Sequence, residues 1–446
     1  MYKNYNKIYF IGIGGIGMSS IALYFINNGK QVAGYDQTIT DLTKKLSNLG
    51  AKIHYDSSLS EIPEEFKNNN EVLIIYTPAI PLSNIELSFF FDNNFTVLKR
   101  SEILGYISQD KFCIAIAGTH GKTTTATILS HILYENNIKF TSFIGGISEN
   151  YDSNFIQNGN DVILVEADEF DRSFLTLNPN ISCITSVDSD HLDVYNSNSE
   201  LQKSFNEFAS KLELNGVLFK HYDVPIDGVS YGFNKNAEYS IINYRNDESS
   251  TFFDIVYEKE NSINVKFNMP GKHNACNALV AFAIGRLLKI NDEQIVNSLN
   301  TFTGVKRRFS YILRSPKILI DDYAHHPNEI KAIYESVKSL YPEKSIMAIF
   351  QPHLYSRTQD FMNQFAQVLS KFDEVTLLDI YPAREEPIKG VNSNKLLNQI
   401  NNSNKNLVDK LELKQVVKDS KADVFIIMGA GDISDEVYKI KDVILN

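Results

Sequence analysis

Apolar residues in this chain gather into short runs separated by glycine turns and more polar stretches. Lys7 to Ile11, Val72 to Tyr76, Phe112 to Ala117, Val162 to Val165 and Ile181 to Ser186 each read as a strand, as do Lys317 to Ile320, Ile346 to Phe350, Val375 to Leu378 and Val424 to Met428. Helical stretches fall between them, and strand-helix-strand order predicts parallel sheets of α/β class. Three such units follow one another, expected at residues 1–105, 106–314 and 315–446. The segment 220–268 instead alternates apolar and polar residues, which predicts small antiparallel strands. In all three units polar residues collect just after the strands, where open α/β sheets hold ligands.

The first run passes into Gly12-Ile-Gly-Gly-Ile-Gly-Met, where Gly12, Gly14 and Gly17 satisfy Gly-x-Gly-x-x-Gly. Asp36 closes the next strand, the place of the ribose-binding acid in a Rossmann unit. That geometry reads a pyrophosphate rather than a nicotinamide, so alone it predicts any nucleotide diphosphate. The second unit opens on Gly118-Thr119-His120-Gly121-Lys122-Thr123-Thr124-Thr125, a glycine turn between an apolar strand and a helix. Free amides at the positive end of a helix bind phosphate oxygens, Lys122 adds a mobile charge, and Thr123 can reach a magnesium ion. Ile116 stands where the usual phosphate loop has its first glycine, so this loop is shorter and belongs to a narrower class.

Other positions admit two readings each. Glu166, at a strand end beside the phosphate loop, is a magnesium ligand or a solvated or capping acid. His191, within Asp188-Ser-Asp-His-Leu-Asp193, is a second metal ligand, a proton carrier or a turn residue. Asn274 and Asn277 could bind an adenine edge or cap the alanine-rich helix they open. Arg308, after Lys306 and Arg307, clamps a γ-phosphate or lies in a solvated basic turn. His325-His326-Pro327 and the stretch His353 to Arg357 lack acidic partners at metal-ligand spacing and read as substrate anchors, arginine being suited to hold a carboxylate.

Composition narrows the class. At 446 residues, 43% hydrophobic and 22% charged, the chain has room for several domains. No apolar run reaches the roughly 18 residues of a membrane helix, and Gly12, Gly14, Gly15 and Gly17 break the N-terminal apolar stretch, against a signal peptide. The scattered Cys113, Cys183 and Cys276 predict neither a zinc site nor a disulfide and fit a reducing cytoplasm. A net charge of −11 argues against nucleic acid. Any polyanionic substrate must then be met by local cations such as Lys306, Arg307, Arg308, Arg357 and Arg384.

Taken together, Gly12-Ile-Gly-Gly-Ile-Gly-Met, Gly118-Thr-His-Gly-Lys-Thr-Thr-Thr, Glu166-Ala-Asp-Glu, Asp190-His-Leu-Asp, His273-Asn-Ala-Cys-Asn-Ala, Lys306-Arg-Arg-Phe, Asp322-Tyr-Ala-His-His-Pro, Gln351-Pro-His and Gly429-Ala-Gly-Asp resemble the Mur ligase family of peptidoglycan synthesis over nearly the whole chain. The resemblance implies a UDP-binding Rossmann-like domain, a central P-loop-type ATPase with a mainly parallel sheet, and a C-terminal Rossmann-like domain that brings an amino acid. It points to the alanine-adding branch, hence to ATP and Mg2+ as cofactors and to UDP-N-acetylmuramate and L-alanine as substrates. The implied enzyme is a cytoplasmic monomer or homodimer without membrane or nucleic-acid partner, serving cell-wall synthesis.

The family pattern then assigns roles. Gly12, Gly14, Gly15, Gly17 and Asp36 take the nucleotide sugar, and Gly118, Thr119, His120, Gly121, Lys122, Thr123 and Thr124 surround the ATP phosphates. Thr123 and Glu166 bind one magnesium and His191 a second; Asn274 contacts adenine and Arg308 the transferring phosphoryl. Tyr323 and His325 face the point where nucleotide sugar and amino acid meet, and His353 with Arg357 holds the alanine carboxylate. Lys122, His191, Arg308 and His325 are thus the expected catalytic groups. Leu354 departs from the family, where arginine is usual, as do Tyr35 for serine and Asp188 for glutamate. The place of the carbamylated lysine found in many members falls near Asn206, with Lys203 only nearby, and no modification is expected.

Three rival readings remain at this stage. A sister ligase attaching a preformed peptide would need that peptide for turnover. A nicotinamide-dependent oxidoreductase would leave the Lys122 loop unexplained, and a regulatory ATPase would turn over ATP without a muramyl nucleotide and an amino acid together.

Overall fold

The computed structural model describes residues 2–188, 195, 197–247, 250–258, 261–383 and 385–445. The chain forms two compact units: Met1–Ser240 with Val256–Asn261 and Asn277–Ser298, and Ile241–Ile255 with Ser262–Cys276 and Leu299–Asn446. The fold is α/β throughout.

The first unit begins with β1 (Lys7–Ile11), α1 (Ile16–Asn27), β2 (Gln31–Tyr35), α2 (Asp41–Asn48), β3 (Lys52–His54), β4 (Val72–Tyr76), α3 (Ile85–Asp92), β5 (Thr96–Lys99) and α4 (Arg100–Ser108). Its five strands are all parallel, in the order β3-β2-β1-β4-β5. In the central strand, Ile8, Tyr9, Phe10 and Ile11 are all fully buried because both faces are covered. Ile8 and Phe10 pack with Met18, Ile21 and Phe25 of α1, while Tyr9 and Ile11 point the other way, toward Phe66, Leu87 and Phe90. Strand order reverses between β1 and β4, so a ligand crevice is expected beyond Ile11 and Tyr76.

The second sheet takes β6 (Phe112–Ala117), β7 (Phe140–Ser148), β8 (Ser153–Gln157), β9 (Val162–Glu166), β10 (Ile181–Ile184), β11 (Val217–His221), β12 (Val229–Gly232), β13 (Tyr239–Asn246), β14 (Thr251–Tyr257) and β15 (Asn261–Phe267). They lie in the order β15-β14-β13-β12-β11-β10-β6-β9-β7-β8, and the boundary between the two units runs through β13, β14 and β15. Its helices are α5 (Lys122–Glu135), α6 (Asn198–Ser210), α7 (Lys272–Leu287) and α8 (Asp292–Thr301). Around β6 the pairing is parallel, and β8 alone joins β7 antiparallel. The expectation of antiparallel strands after residue 220 is overturned at β12, which pairs parallel with both β11 and β13. Alternation specifies which face a side chain takes and carries no information about strand direction. Helix α1 packs on β7 and β8, where Asn154 Nδ2 donates to Ile16 O at 2.6 Å and Ser19 Oγ at 2.9 Å.

The second unit carries β16 (Ser310–Leu313), β17 (Ile318–Asp322), α9 (Pro327–Leu340), β18 (Ile346–Phe350), α10 (Tyr355–Asp360), α11 (Met362–Leu369), β19 (Glu374–Leu377), α12 (Ser393–Gln399), β20 (Lys405–Leu407), α13 (Leu413–Asp419), β21 (Val424–Met428) and α14 (Val437–Leu445). The sheet order is β16-β17-β21-β18-β19-β20, with β16 antiparallel and the rest parallel. Helix α9 starts where the chain offers a capping box, with Pro327 in its first turn and Glu329 reaching back to the His326 amide. Among the described residues no helix is long and apolar enough to cross a membrane.

Candidate active site

Beyond β1 the chain turns at Gly12, whose φ of +84° suits glycine. The turn is held from β2: Gly12 N and Ile13 N donate to Tyr35 O at 2.8 and 3.1 Å, and Gly14 N donates to Asp36 Oδ2 at 2.7 Å. A Cβ on Gly14 would stand 2.7 Å from Thr43 Cγ2 and 2.8 Å from that carboxylate oxygen. Gly15 is the N-cap of α1, and a Cβ on Gly17 would meet Arg100 Nη1 at 3.0 Å. Gly12, Gly14, Gly15, Gly17 and Asp36 therefore share one loop cluster, at the crevice edge where the strand order reverses.

The phosphate loop leaves β6 at Ala117. Gly118, with φ +127°, packs so tightly against Thr185 and the Ser186 amide that an added Cβ would overlap both. Thr119 N donates to Ser186 O at 3.1 Å and His120 N to Ser186 Oγ at 2.9 Å, fixing the loop on the end of β10. Gly121 then caps α5 in the left-handed region, 2.7 Å short of Asn277 Oδ1 for any Cβ. Lys122 Nζ donates to Gly118 O at 2.7 Å and lies 2.8 Å from both carboxylate oxygens of the fully buried Glu169. Burial pulls the Lys122 pKa down, but Glu169, Asp168 and Glu166 outweigh it and the net shift is upward. The ammonium is therefore kept charged.

Thr123 Oγ1 donates to Glu166 Oε1 at 2.8 Å, and Gly145 N donates to Glu166 Oε2 at 2.7 Å. Burial raises the Glu166 pKa against the opposing pull of Lys122 and Thr123. Thr124 is buried in the first turn of α5, and Thr125 Oγ1 donates to Asn277 Oδ1 at 3.1 Å. His191, Asp190 and Asp193 lie outside the described residues, as does Arg384. Asn274, in the second unit, is buried and donates from Nδ2 to Pro270 O at 2.7 Å.

In the second unit the loops after β17, β18 and β21 converge. Arg307 and Arg308 place their guanidinium carbons 5.1 and 5.2 Å from the Tyr323 ring centre. His325 stands edge-on to Tyr323 at 5.3 Å and lies 6.1 Å from the His353 ring, which stacks on Tyr381. Glu329 stands beside both His325 and Arg308: its carboxylate lies 3.4 Å from His325 Nδ1 and 3.8 Å from Arg308 Nη1, and accepts from the His325 amide at 2.9 Å. Asp322 is buried and pushed up to about 7, an effect opposed by Arg308 and by the Phe309 and Ala324 amides. Arg357 is buried in α10. The atypical Leu354 is buried and caps that helix at φ +70°.

Sequence reading missed three features. Glu169 belongs to the Glu166-Ala-Asp-Glu run, yet its pairing with Lys122 spans 47 positions. Arg100 Nη2 reaches Asp168 Oδ2 at 3.2 Å, tying α4 to the acidic segment after β9. Glu329 stands four residues after His325, a helical spacing that could have signalled it.

A glycine turn opening a helix, a part-buried lysine and an acid at the next strand end have the layout of a nucleotide-dependent enzyme of the phosphate-loop type. Family models for the Mur ligase catalytic, middle and glutamate ligase domains match residues 7–112, 116–285 and 307–431. The chain is 50% identical to the UDP-N-acetylmuramate–L-alanine ligase of Christiangramia forsetii, covering 100% of this chain and 99% of the relative. It is likewise 50% identical to the Flavobacterium psychrophilum protein of the same name, over 98% and 97%. Among solved structures, UDP-N-acetylmuramate–alanine ligase from Thermotoga maritima superposes with a TM-score of 0.83 at 27% identity, covering 98% of each chain. A murein peptide ligase from Psychrobacter arcticus shares the fold with a TM-score of 0.74 at 21% identity. This chain belongs to the Mur ligase family.

Proposed function

We propose that the chain uses ATP to join L-alanine to the carboxylate of UDP-N-acetylmuramate through an acyl phosphate, giving UDP-N-acetylmuramoyl-L-alanine, ADP and phosphate in the cytoplasm. The observation that carries this reading is 50% identity to L-alanine ligases from end to end, spanning all three motif-bearing sheets. Likeness to the peptide-adding ligase, at 21% identity, extends to the fold alone.

The domains would run 1–105, 106–314 and 315–446; the family-model matches at 7–112, 116–285 and 307–431 follow the same three-part order, with two of them crossing these boundaries by a few residues. Gly12 to Gly17 would offer backbone amides to the UDP diphosphate, with Asp36 ordering the turn. The Gly118 to Thr124 loop would cradle the ATP phosphates, with Lys122 exchanging Glu169 for phosphate oxygens as ATP enters. Thr123 and Glu166 form an all-oxygen pair suited to a hard divalent cation; magnesium bound there would neutralise charge on the transferring phosphoryl. His191 is kept as a candidate ligand for a second cation, and Asn274 as a contact for adenine. Arg308 suits an anionic phosphoryl oxygen, and Tyr323 with His325 would orient the reacting groups. His353 and Arg357 would hold the alanine carboxylate, so that the amine attacks the acyl phosphate and expels phosphate.

Phosphate release from ATP with UDP-N-acetylmuramate, compared with L-alanine, other amino acids, a tripeptide and no acceptor, tests the reading. Release requiring both the muramyl nucleotide and L-alanine is expected. Release only with the tripeptide, or indifferent to both substrates, would overturn it.

A further inference from the structure

Behind the Gly12 turn, among residues with no assigned part in binding or chemistry, Tyr9, His54 and Glu86 form a hydrogen-bonded row. Tyr9 and Glu86 are both fully buried. Tyr9 Oη lies 2.6 Å from Glu86 Oε2 and 2.7 Å from His54 Nε2, and His54 Nδ1 lies 2.9 Å from the Asp56 carbonyl.

Donor counting restricts the protons this row can hold. A carbonyl oxygen only accepts, so His54 Nδ1 carries hydrogen. With a neutral imidazole, Nε2 then accepts from Tyr9, and the Tyr9 oxygen must accept from a protonated Glu86. If Tyr9 instead donates to an ionised Glu86, Nε2 must donate to Tyr9 and the imidazole is cationic. Both patterns keep all three hydrogen bonds, hold the same number of protons and have no net charge. Losing one proton breaks a hydrogen bond and leaves a buried carboxylate without a neutralising proton.

The surroundings favour the first pattern near neutrality. Burial pushes the Glu86 carboxyl up to about 7; its Tyr9 hydrogen bond and the Ser58 amide resist the rise, and Asp56 adds to it. Burial lowers His54, against the upward pull of Asp56 and Glu61. Tyr35 of β2, its ring 5.7 Å from that of His54, feels the charges of Glu86, Asp36 and Asp56.

The row also reaches the turn. His54 O accepts from Asp36 N at 3.2 Å, Asp36 Oδ2 accepts from Gly14 N at 2.7 Å, and Tyr35 O accepts from the Gly12 amide at 2.8 Å. We propose that Tyr9, His54 and Glu86 are positioning residues for the nucleotide sugar. The proton they share holds the ends of β2 and β3 under the Gly12 turn, so UDP-N-acetylmuramate binds with uptake of a proton and binds more weakly as pH rises past neutrality. The inference rests on the assignment of this turn to the nucleotide sugar.

Calorimetric titration with UDP-N-acetylmuramate between pH 6 and 8.5, in buffers of different ionisation enthalpy, is the test. The diphosphate diester keeps its charge over this range. Wild-type affinity is expected to fall roughly fivefold across it, the equivalent of one net hydrogen bond, with proton uptake on binding. Glu86→Gln donates an amide hydrogen to Tyr9 as the protonated acid does, and is expected to hold the acid-side affinity throughout without uptake. A wild type that takes up no proton, or a variant with the wild-type pH profile, overturns the proposal; wild-type uptake alone decides should the variant fail to fold. Absence of nucleotide-sugar binding in a protein that still binds ATP would overturn the assignment of the turn, and the proposal with it.

Discussion

Lys122, proposed above as a phosphate contact, is held charged by its neighbours in the free protein. Its ammonium is pinned between Gly118 O and both oxygens of the fully buried Glu169. Lys122→Ala is therefore expected to abolish phosphate release while circular dichroism remains that of the wild type; substantial residual turnover would remove the loop from the mechanism. Glu169→Gln makes a subtler prediction. Taking the charge from the buried partner of this part-buried pair should cost the free protein roughly 1.5–3 kcal/mol, the worth of a hydrogen bond to a charged group, and a bound non-hydrolysable ATP analogue should narrow that gap because its phosphates supply the missing negative charge. Urea unfolding with and without the analogue measures both, and an equal loss in the two states would show that Glu169 does not trade places with phosphate. Arg357→Ala should raise the KM for L-alanine at least tenfold and leave the KM for ATP near wild type, because the lost fork serves one substrate.

At the scale of elements, the glycine turns separate two sites by their packing. Gly14→Ala would drive a methyl group into Thr43 and the Asp36 carboxylate, and is expected to weaken UDP-N-acetylmuramate binding with ATP affinity unchanged. Gly118→Ala, at φ +127° and against Thr185, should do the reverse; either variant weakening both ligands equally would refute independent sites. Much of this level was legible in the chain, because solid apolar runs such as Val72–Tyr76 and Ile346–Phe350 occur where both sheet faces are covered. The direction of β12 was not, since alternating residues fit either pairing. Contacts such as Lys122 with Glu169 or Arg100 with Asp168 join positions 47 and 68 residues apart. Nothing local marks them, whereas the glycines, Asp36 and Glu166 stand at or just after strand ends and Thr123 opens α5, positions that pattern alone singles out as candidates.

For the molecule as a whole, the chain's −11 charge means that two polyanionic substrates must be held by locally placed amides and cations, and the reaction order follows from that chemistry. A carboxylate is a poor electrophile, so one of its oxygens must first take the γ-phosphoryl group, and the amine then displaces phosphate carrying that oxygen. UDP-N-acetylmuramate labelled with 18O in the muramyl carboxylate should therefore deliver one labelled oxygen to each phosphate released, and hydroxylamine in place of L-alanine should yield a hydroxamate. Mass spectrometry of the phosphate reads the first outcome directly. Unlabelled phosphate in every turnover would mean that water, not the carboxylate, attacks ATP, and would make the ATPase activity of the second sheet independent of ligation.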